Sequence, residues 1–92
     1  MADSVQVASS SVLLRTGAGQ LVGVVITCSS TAALATFYNN TAGSGTKIFE
    51  AHVSTDQPLI IFFSDRFALF FTTGLYLSLA ANLTATVWWR EL

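Results

Sequence analysis

The residue types that most often do chemistry are thinly spread along this chain. One cysteine, Cys28, and one histidine, His52, stand among 92 residues. A lone cysteine leaves no internal disulfide, and a cysteine-ligated metal cluster would need several chains. The plain reading of Cys28 is a small buried hydrophobe at the end of an apolar run. A two-histidine metal centre within one chain is excluded in the same way, and His52 falls in a stretch of strand character where a structural or surface role suits it. Neither residue lies in a recognisable active-site turn, and their positions give no reason to pair them as thiolate and imidazole. The carboxylates of Glu50, Asp56, Asp65 and Glu91 show no spacing that would fix two of them for shared acid and base work. We expect no catalytic residue, no metal ligand and no cofactor.

Gly17-Ala18-Gly19 and Gly43-Ser44-Gly45 resemble fragments of phosphate-binding loops. Neither leads from a strand into a lysine-bearing helix, so both read as turns. Arg15, Lys47, Arg66 and Arg90 are the whole basic inventory. They are scattered, whereas neutralising several phosphates takes a concentrated basic surface, and direct nucleic-acid binding is not expected. Asn39-Asn40-Thr41 and Asn82-Leu83-Thr84 match a glycosylation pattern. Met1-Ala2-Asp3-Ser4 lacks the basic region and apolar run of a secretory signal, which favours loop polarity as the reading of both asparagines.

Positioning any residue falls to a single small domain. A chain of this length buries only about 60–65% of its unfolded surface when it folds alone, which makes it a candidate for further burial against neighbours. The composition is 52% hydrophobic and 10% charged with a formal net charge of -1, against about 25% charged in an average soluble domain. Little charge remains to hold copies apart. Residues Phe67 to Trp89 form a 23-residue stretch without a charge, long enough for one membrane span over 67–89, which stands as an alternative reading. Thr72, Thr73, Ser78, Asn82, Thr84 and Thr86 recur through it and Gly74 interrupts it, so the soluble reading is preferred and no membrane contact is expected.

Alternation and turn residues favour strands throughout. Ser10–Arg15 is followed by a glycine-rich turn, and Leu21–Thr27 is continuous and β-branched, with Val22, Val24 and Ile26 assigned to one face. Ala32–Tyr38 presents Ala33, Ala35 and Phe37 to one side. The loop from Asn39 to Gly45 separates it from Thr46–Ser54, in which Phe49 and Val53 mark the inward face and Ile48, Glu50 and His52 the other. Leu59–Phe63 reads as a buried strand and Phe67–Phe71 as the return arm of a hairpin with it. Leu75–Ala80 places Leu75, Leu77 and Leu79 on one face, and Leu83–Trp89 does the same with Leu83, Ala85, Val87 and Trp89. No segment offers a helical crossover. The expected fold is therefore all-β: a compact antiparallel β-sandwich of seven or eight short strands, with a jelly roll among the topologies open to it. Residues 1–11 are expected to form a flexible arm or an edge strand borrowed by a neighbour, and 12–92 the single sandwich domain.

The inward faces nominate Val24, Ile26, Phe37, Phe49, Val53, Ile61, Phe63, Leu77, Leu79, Val87 and Trp89 as core. Trp88 and Trp89 are adjacent in a strand and so point to opposite faces. One enters the core, and the other is a candidate assembly contact. With Trp89 in the inward row, Trp88 joins Tyr38 and Tyr76 as candidate assembly contacts.

The succession of the Leu21–Thr27 strand, the strand ending Phe37-Tyr38-Asn39-Asn40, the segment Gly43-Ser44-Gly45-Thr46-Lys47-Ile48, the run Phe71-Thr72-Thr73-Gly74-Leu75-Tyr76-Leu77-Ser78-Leu79 and the terminal Ala85-Thr86-Val87-Trp88-Trp89 resembles small β-sandwich structural proteins of tailed-phage virions. The resemblance covers most of the chain from about Leu21 onward and is one of strands and turns rather than of chemical motifs. It implies a noncatalytic decoration, cement or minor capsid protein located in the virion. The implied partners are its own copies, with a homotrimer favoured, and a major capsid or other virion structural protein. The competing class is a carbohydrate or small-ligand binding module that presents Tyr38, Tyr76, Trp88 or Trp89 beside loop amides.

Overall fold

The computed structural model of the chain describes residues 4–63, 69–80 and 82–91. Among the described residues nine strands follow one another: β1 Ser4–Ala8, β2 Val12–Thr16, β3 Gly19–Cys28, β4 Ala33–Tyr38, β5 Lys47–Val53, β6 Leu59–Phe62, β7 Leu69–Phe71, β8 Gly74–Leu79 and β9 Leu83–Glu91. Every pairing is antiparallel. The front sheet runs β1-β9-β3-β6, with β7 also on β3, and the back sheet runs β2-β8-β4-β5.

Of the expected return arm Phe67–Phe71, the described part, Leu69–Phe71, does not pair as a hairpin with Leu59–Phe62. β6 lies opposite Gly23–Ile26 and β7 opposite Gly19–Leu21, so both run antiparallel to β3 and hence in the same direction along one edge of it. They are two pieces of one interrupted edge strand. The interruption sits at Val22, which is the extra residue of a β-bulge between Leu21 and Gly23 and whose carbonyl accepts a hydrogen bond from the Phe63 N–H at 2.8 Å. Asp65 and Arg66, together with Ser64, Phe67 and Ala68, lie outside the described residues.

With β6 and β7 taken as one strand, the pairings nest: first with last (β1·β9), second with second-last (β2·β8), then β3 with β6/β7, and β4 with β5. Rolling such a long double ribbon brings β9 beside β3 and β8 beside β4. That is the two-sheet jelly roll.

The core lies between the sheets. Leu21, Val24, Ile26, Phe37, Val53, Phe71, Leu75, Leu77, Leu83, Ala85 and Val87 are almost wholly buried there, with Leu79 and Trp89 close behind. Alternation produces this in β8 and β9, where every second side chain faces inward. Bulges alter it elsewhere. The one at Val22 puts Leu21 inward with Val24 and Ile26 and leaves Val22 half-buried, out of the row assigned to it. In β5 an irregularity opposite Phe37 and Tyr38 turns Ile48 against the core while Lys47, Glu50 and His52 stay exposed. A third lies between Leu13 and Arg15, beside Leu14, which is buried by plain alternation with Val12. The first two each insert one residue and so reverse the inward face beyond it.

Phe49, Ile61 and Phe63 are half-buried rather than enclosed. β5 and β6 are edge strands, so one side of each has no neighbouring strand to cover it. Phe49 nevertheless packs edge-on against Phe63, with ring centroids 6.0 Å apart. Residues 4–8, placed by the sequence in an arm or exchanged strand, form β1 on β9 of the same chain, with Ser4 opposite Trp89 and Ala8 opposite Ala85. The uncharged stretch, where described, is divided among β7, β8 and β9. No helix among the described residues is long and apolar enough to cross a membrane.

Candidate interaction surface

The outward faces of the two sheets differ in chemistry. On the back sheet, β4 and β5 carry Thr36, Glu50, His52 and Lys47. The Thr36 hydroxyl donates to Glu50 Oε2 at 2.9 Å, and Lys47 Nζ lies 3.0 Å from the same oxygen. The Lys47 hydrogen bond and then that of Thr36 hold the Glu50 carboxyl below its ordinary range, and the same Glu50 contact raises Lys47 above the usual lysine value. The charge of this face lies along its β5 edge, while Leu13 and Leu34 on β2 and β4 are each 39% exposed.

The front sheet presents a different surface. Reading across its four strands, Val5, Trp88, Gly23 and Phe62 form one row, and Val7, Thr86, Val25 and Ile60 the next. Gly23 has no side chain, so the Phe62 ring lies across it and reaches Trp88, with ring centroids 5.3 Å apart and planes inclined by 48°. Phe70 continues the surface beside Gln20, which is itself buried. Val5, Val7, Ile60, Phe62 and Phe70 are each between 56% and 67% exposed. They gather on one face because the jelly-roll pairing puts β6 and β7 on one side of β3 and β9 with β1 on the other.

The nominated assembly residues are not brought together. Trp88 belongs to this apolar face, while Tyr38 and Tyr76 stand opposite each other on the back sheet, both half-buried, with Tyr76 against Gly43. Trp89 points inward and is 8% exposed. The sequence reading missed Val5, Val7, Ile60, Phe62 and Phe70 as surface residues. A signal existed: Leu59–Phe63 is apolar at every position, so one of its faces has to look away from its own core unless a further layer covers it.

Residues considered for chemistry are dispersed. Cys28 is half-buried at the end of β3, where its thiol approaches the Thr31 carbonyl at 3.2 Å and accepts from Asn82 Nδ2 at 3.5 Å. His52 is exposed on β5, in the other sheet. Asn39 Oδ1 accepts the Thr72 and Thr73 N–H groups at 3.0 and 2.9 Å, and its Nδ2 donates to Thr72 Oγ1. The amide ties the β4–β5 loop to the turn before β8. Asn82 does similar work at the other end, where its carbonyl accepts from the Ser29 N–H at 2.9 Å and its side chain donates to the Thr31 carbonyl. Among the described residues no group of three metal-ligating side chains forms and no pocket opens.

No protein-family model, curated protein or solved structure matches this chain.

Proposed function

We propose that this chain is a noncatalytic structural protein of a virus particle, which attaches to its own copies through the outer face of the front sheet and also binds a capsid or tail component. The observation that carries the reading is the row of apolar side chains around Trp88 and Phe62, left open to solvent by the fold of the single chain. Contiguous apolar surface of this kind is where protein partners dock. The jelly roll supports the reading by analogy, since it recurs in viral capsid domains, although it serves lectins as well. The sequence resemblance to tailed-phage virion proteins points the same way.

Quantitative mass spectrometry of purified particles tests the proposal. The chain is expected there at a fixed copy number relative to the major capsid protein, and its absence from intact particles refutes the assignment. A glycan-binding module is the second reading, favoured by the Tyr38–Tyr76 pair on the back sheet. Binding on a glycan array that disappears in Tyr76→Ala, with folding retained, would select it.

A further inference from the structure

We infer that the front-sheet face is a self-complementary interface, which joins two copies of this chain face to face about a two-fold axis. The inference rests on the structural reading above and names the first partner of that surface.

Three features argue for a second copy as the occupant. The first is the number of patches. The large hydrophobic side chains more than half exposed among the described residues all lie on the front sheet, whereas Leu13 and Leu34, at 39%, stand apart on the back sheet. A head-to-tail contact needs two different complementary surfaces, and an isologous one needs a single surface that fits itself. This chain displays one.

The second is charge. Among the described residues, the outward positions of β1, β9, β3, β6 and β7 hold Val, Thr, Gly, Trp, Gln, Ile and Phe, and Arg90 is their one charged side chain. A two-fold axis running across the strands places the two Arg90 residues at opposite ends of the interface. No like charges then meet.

The third is area. The five exposed residues present on the order of 500 Å² of mostly apolar surface, within the range of the largest patch on a lone monomer. With the partial exposure of Trp88, Val25 and Thr86 the face offers the larger part of the roughly 800 Å² per partner of a standard interface. Two such sheet faces can pack in aligned fashion about 10 Å apart.

Sedimentation and native mass spectrometry of the full chain across micromolar concentrations test this directly. The expected species has twice the mass of the 9.8 kDa chain. Ile60 and Phe62 are more than 60% exposed, so Ile60→Asp and Phe62→Asp should leave the far-ultraviolet strand spectrum intact while weakening the pair at least 100-fold. A Cys28→Ser, Thr86→Cys variant adds a geometric readout. Under a short thiol-to-thiol cross-linker it should give a single dimer band, because Thr86 lies near the middle of the face and meets its own symmetry mate. A wild-type monomer at all concentrations, a trimer, a cross-linked ladder, or a pair indifferent to Phe62→Asp overturns the inference. Particle incorporation separates the two claims: a chain found in particles but monomeric in isolation refutes the pair alone. A chain that pairs but is missing from particles refutes the virion assignment alone.

Discussion

Gly19 and Gly23 sit four residues apart on β3 and each has an aromatic ring laid over it, yet alanine should have different effects at the two. A Cβ on Gly19 would collide with the Phe71 ring, 2.7 Å from its Cε2, and stand 2.8 Å from the Arg90 carbonyl oxygen. Phe71 is 1% exposed and the carbonyl is part of the β9 ladder, so neither can yield without moving the core. Overpacking of this kind costs about 1–3 kcal/mol, reduced by the roughly 0.5–1 kcal/mol that alanine gains over glycine within a strand. A Cβ on Gly23 meets only the Phe62 ring, 2.6 Å from Cε1. That ring is largely exposed on an edge strand and can swing outward, which forfeits its pairing with Trp88, worth about 0.5–1.5 kcal/mol. The alanine gain offsets most of that loss. Thermal unfolding followed by circular dichroism, at a concentration where the chain is monomeric, should show Gly19→Ala lowered by up to roughly 20 °C, and by more than Gly23→Ala, which should stay within about 8 °C of wild type. Tryptophan emission should shift in Gly23→Ala as Trp88 is uncovered. Equal losses in both variants, or a larger one at Gly23, would refute the placement of one ring inside the sandwich and the other outside it.

The two tryptophans should likewise separate. Trp89→Ala removes an inward ring and is expected to cost about 3–5 kcal/mol of folding stability, whereas Trp88→Ala, which removes a half-buried outer ring, should cost the monomer clearly less and abolish self-association measured by native mass. Indistinguishable behaviour of the two variants defeats this assignment. On the back sheet, the depressed Glu50 carboxyl contributes stability that is present above the ordinary carboxylate range and lost as pH falls through its lowered value. The Glu50 titration midpoint, followed by carboxyl-carbon NMR, should lie below the ordinary value and rise toward it in Thr36→Val; an unchanged midpoint would remove Thr36 as a cause.

How much of this was legible depended on whether the period of two ran unbroken. Leu75, Leu77 and Leu79, and again Leu83, Ala85, Val87 and Trp89, face the core as their alternation predicts. Period alone fails where one residue is added. The bulge at Val22 and the irregularity at Ile48 each exchange the inward row; Gly23 beside Val22 is a local sign of the first, and no glycine or proline marks the second. Strand partners are less legible still. Alternation says which way a side chain points and is silent on which strand lies beside it, so Leu59–Phe63 and Phe67–Phe71 read as a hairpin although their described strands, β6 and β7, share an edge of β3. β1 went unassigned as a strand of its own chain because its alternation is short and Ala8 is its one enclosed side chain.

The candidate surface was hidden for a different reason. An apolar run such as Leu59–Phe63 reads as a strand covered on both faces, and it does not say whether the second cover belongs to the same chain. The fold decides that. Its two sheets bury one face each, and the back sheet turns a charged, hydrogen-bonded β5 edge to water while the front sheet turns Val5, Val7, Ile60, Phe62 and Phe70 outward. Side chains this exposed add little to the folding of the monomer, because most of their area stays in water when the chain folds. Their apolar character is thus not explained by the stability of the single domain. On the proposed reading a second protein surface removes that area from water, and at the middle of the patch Gly23 lets Phe62 lie against Trp88. A side chain at position 23 would raise the ring out of the sheet plane, so the glycine serves the shape of the outer surface at least as much as the packing of its own strand.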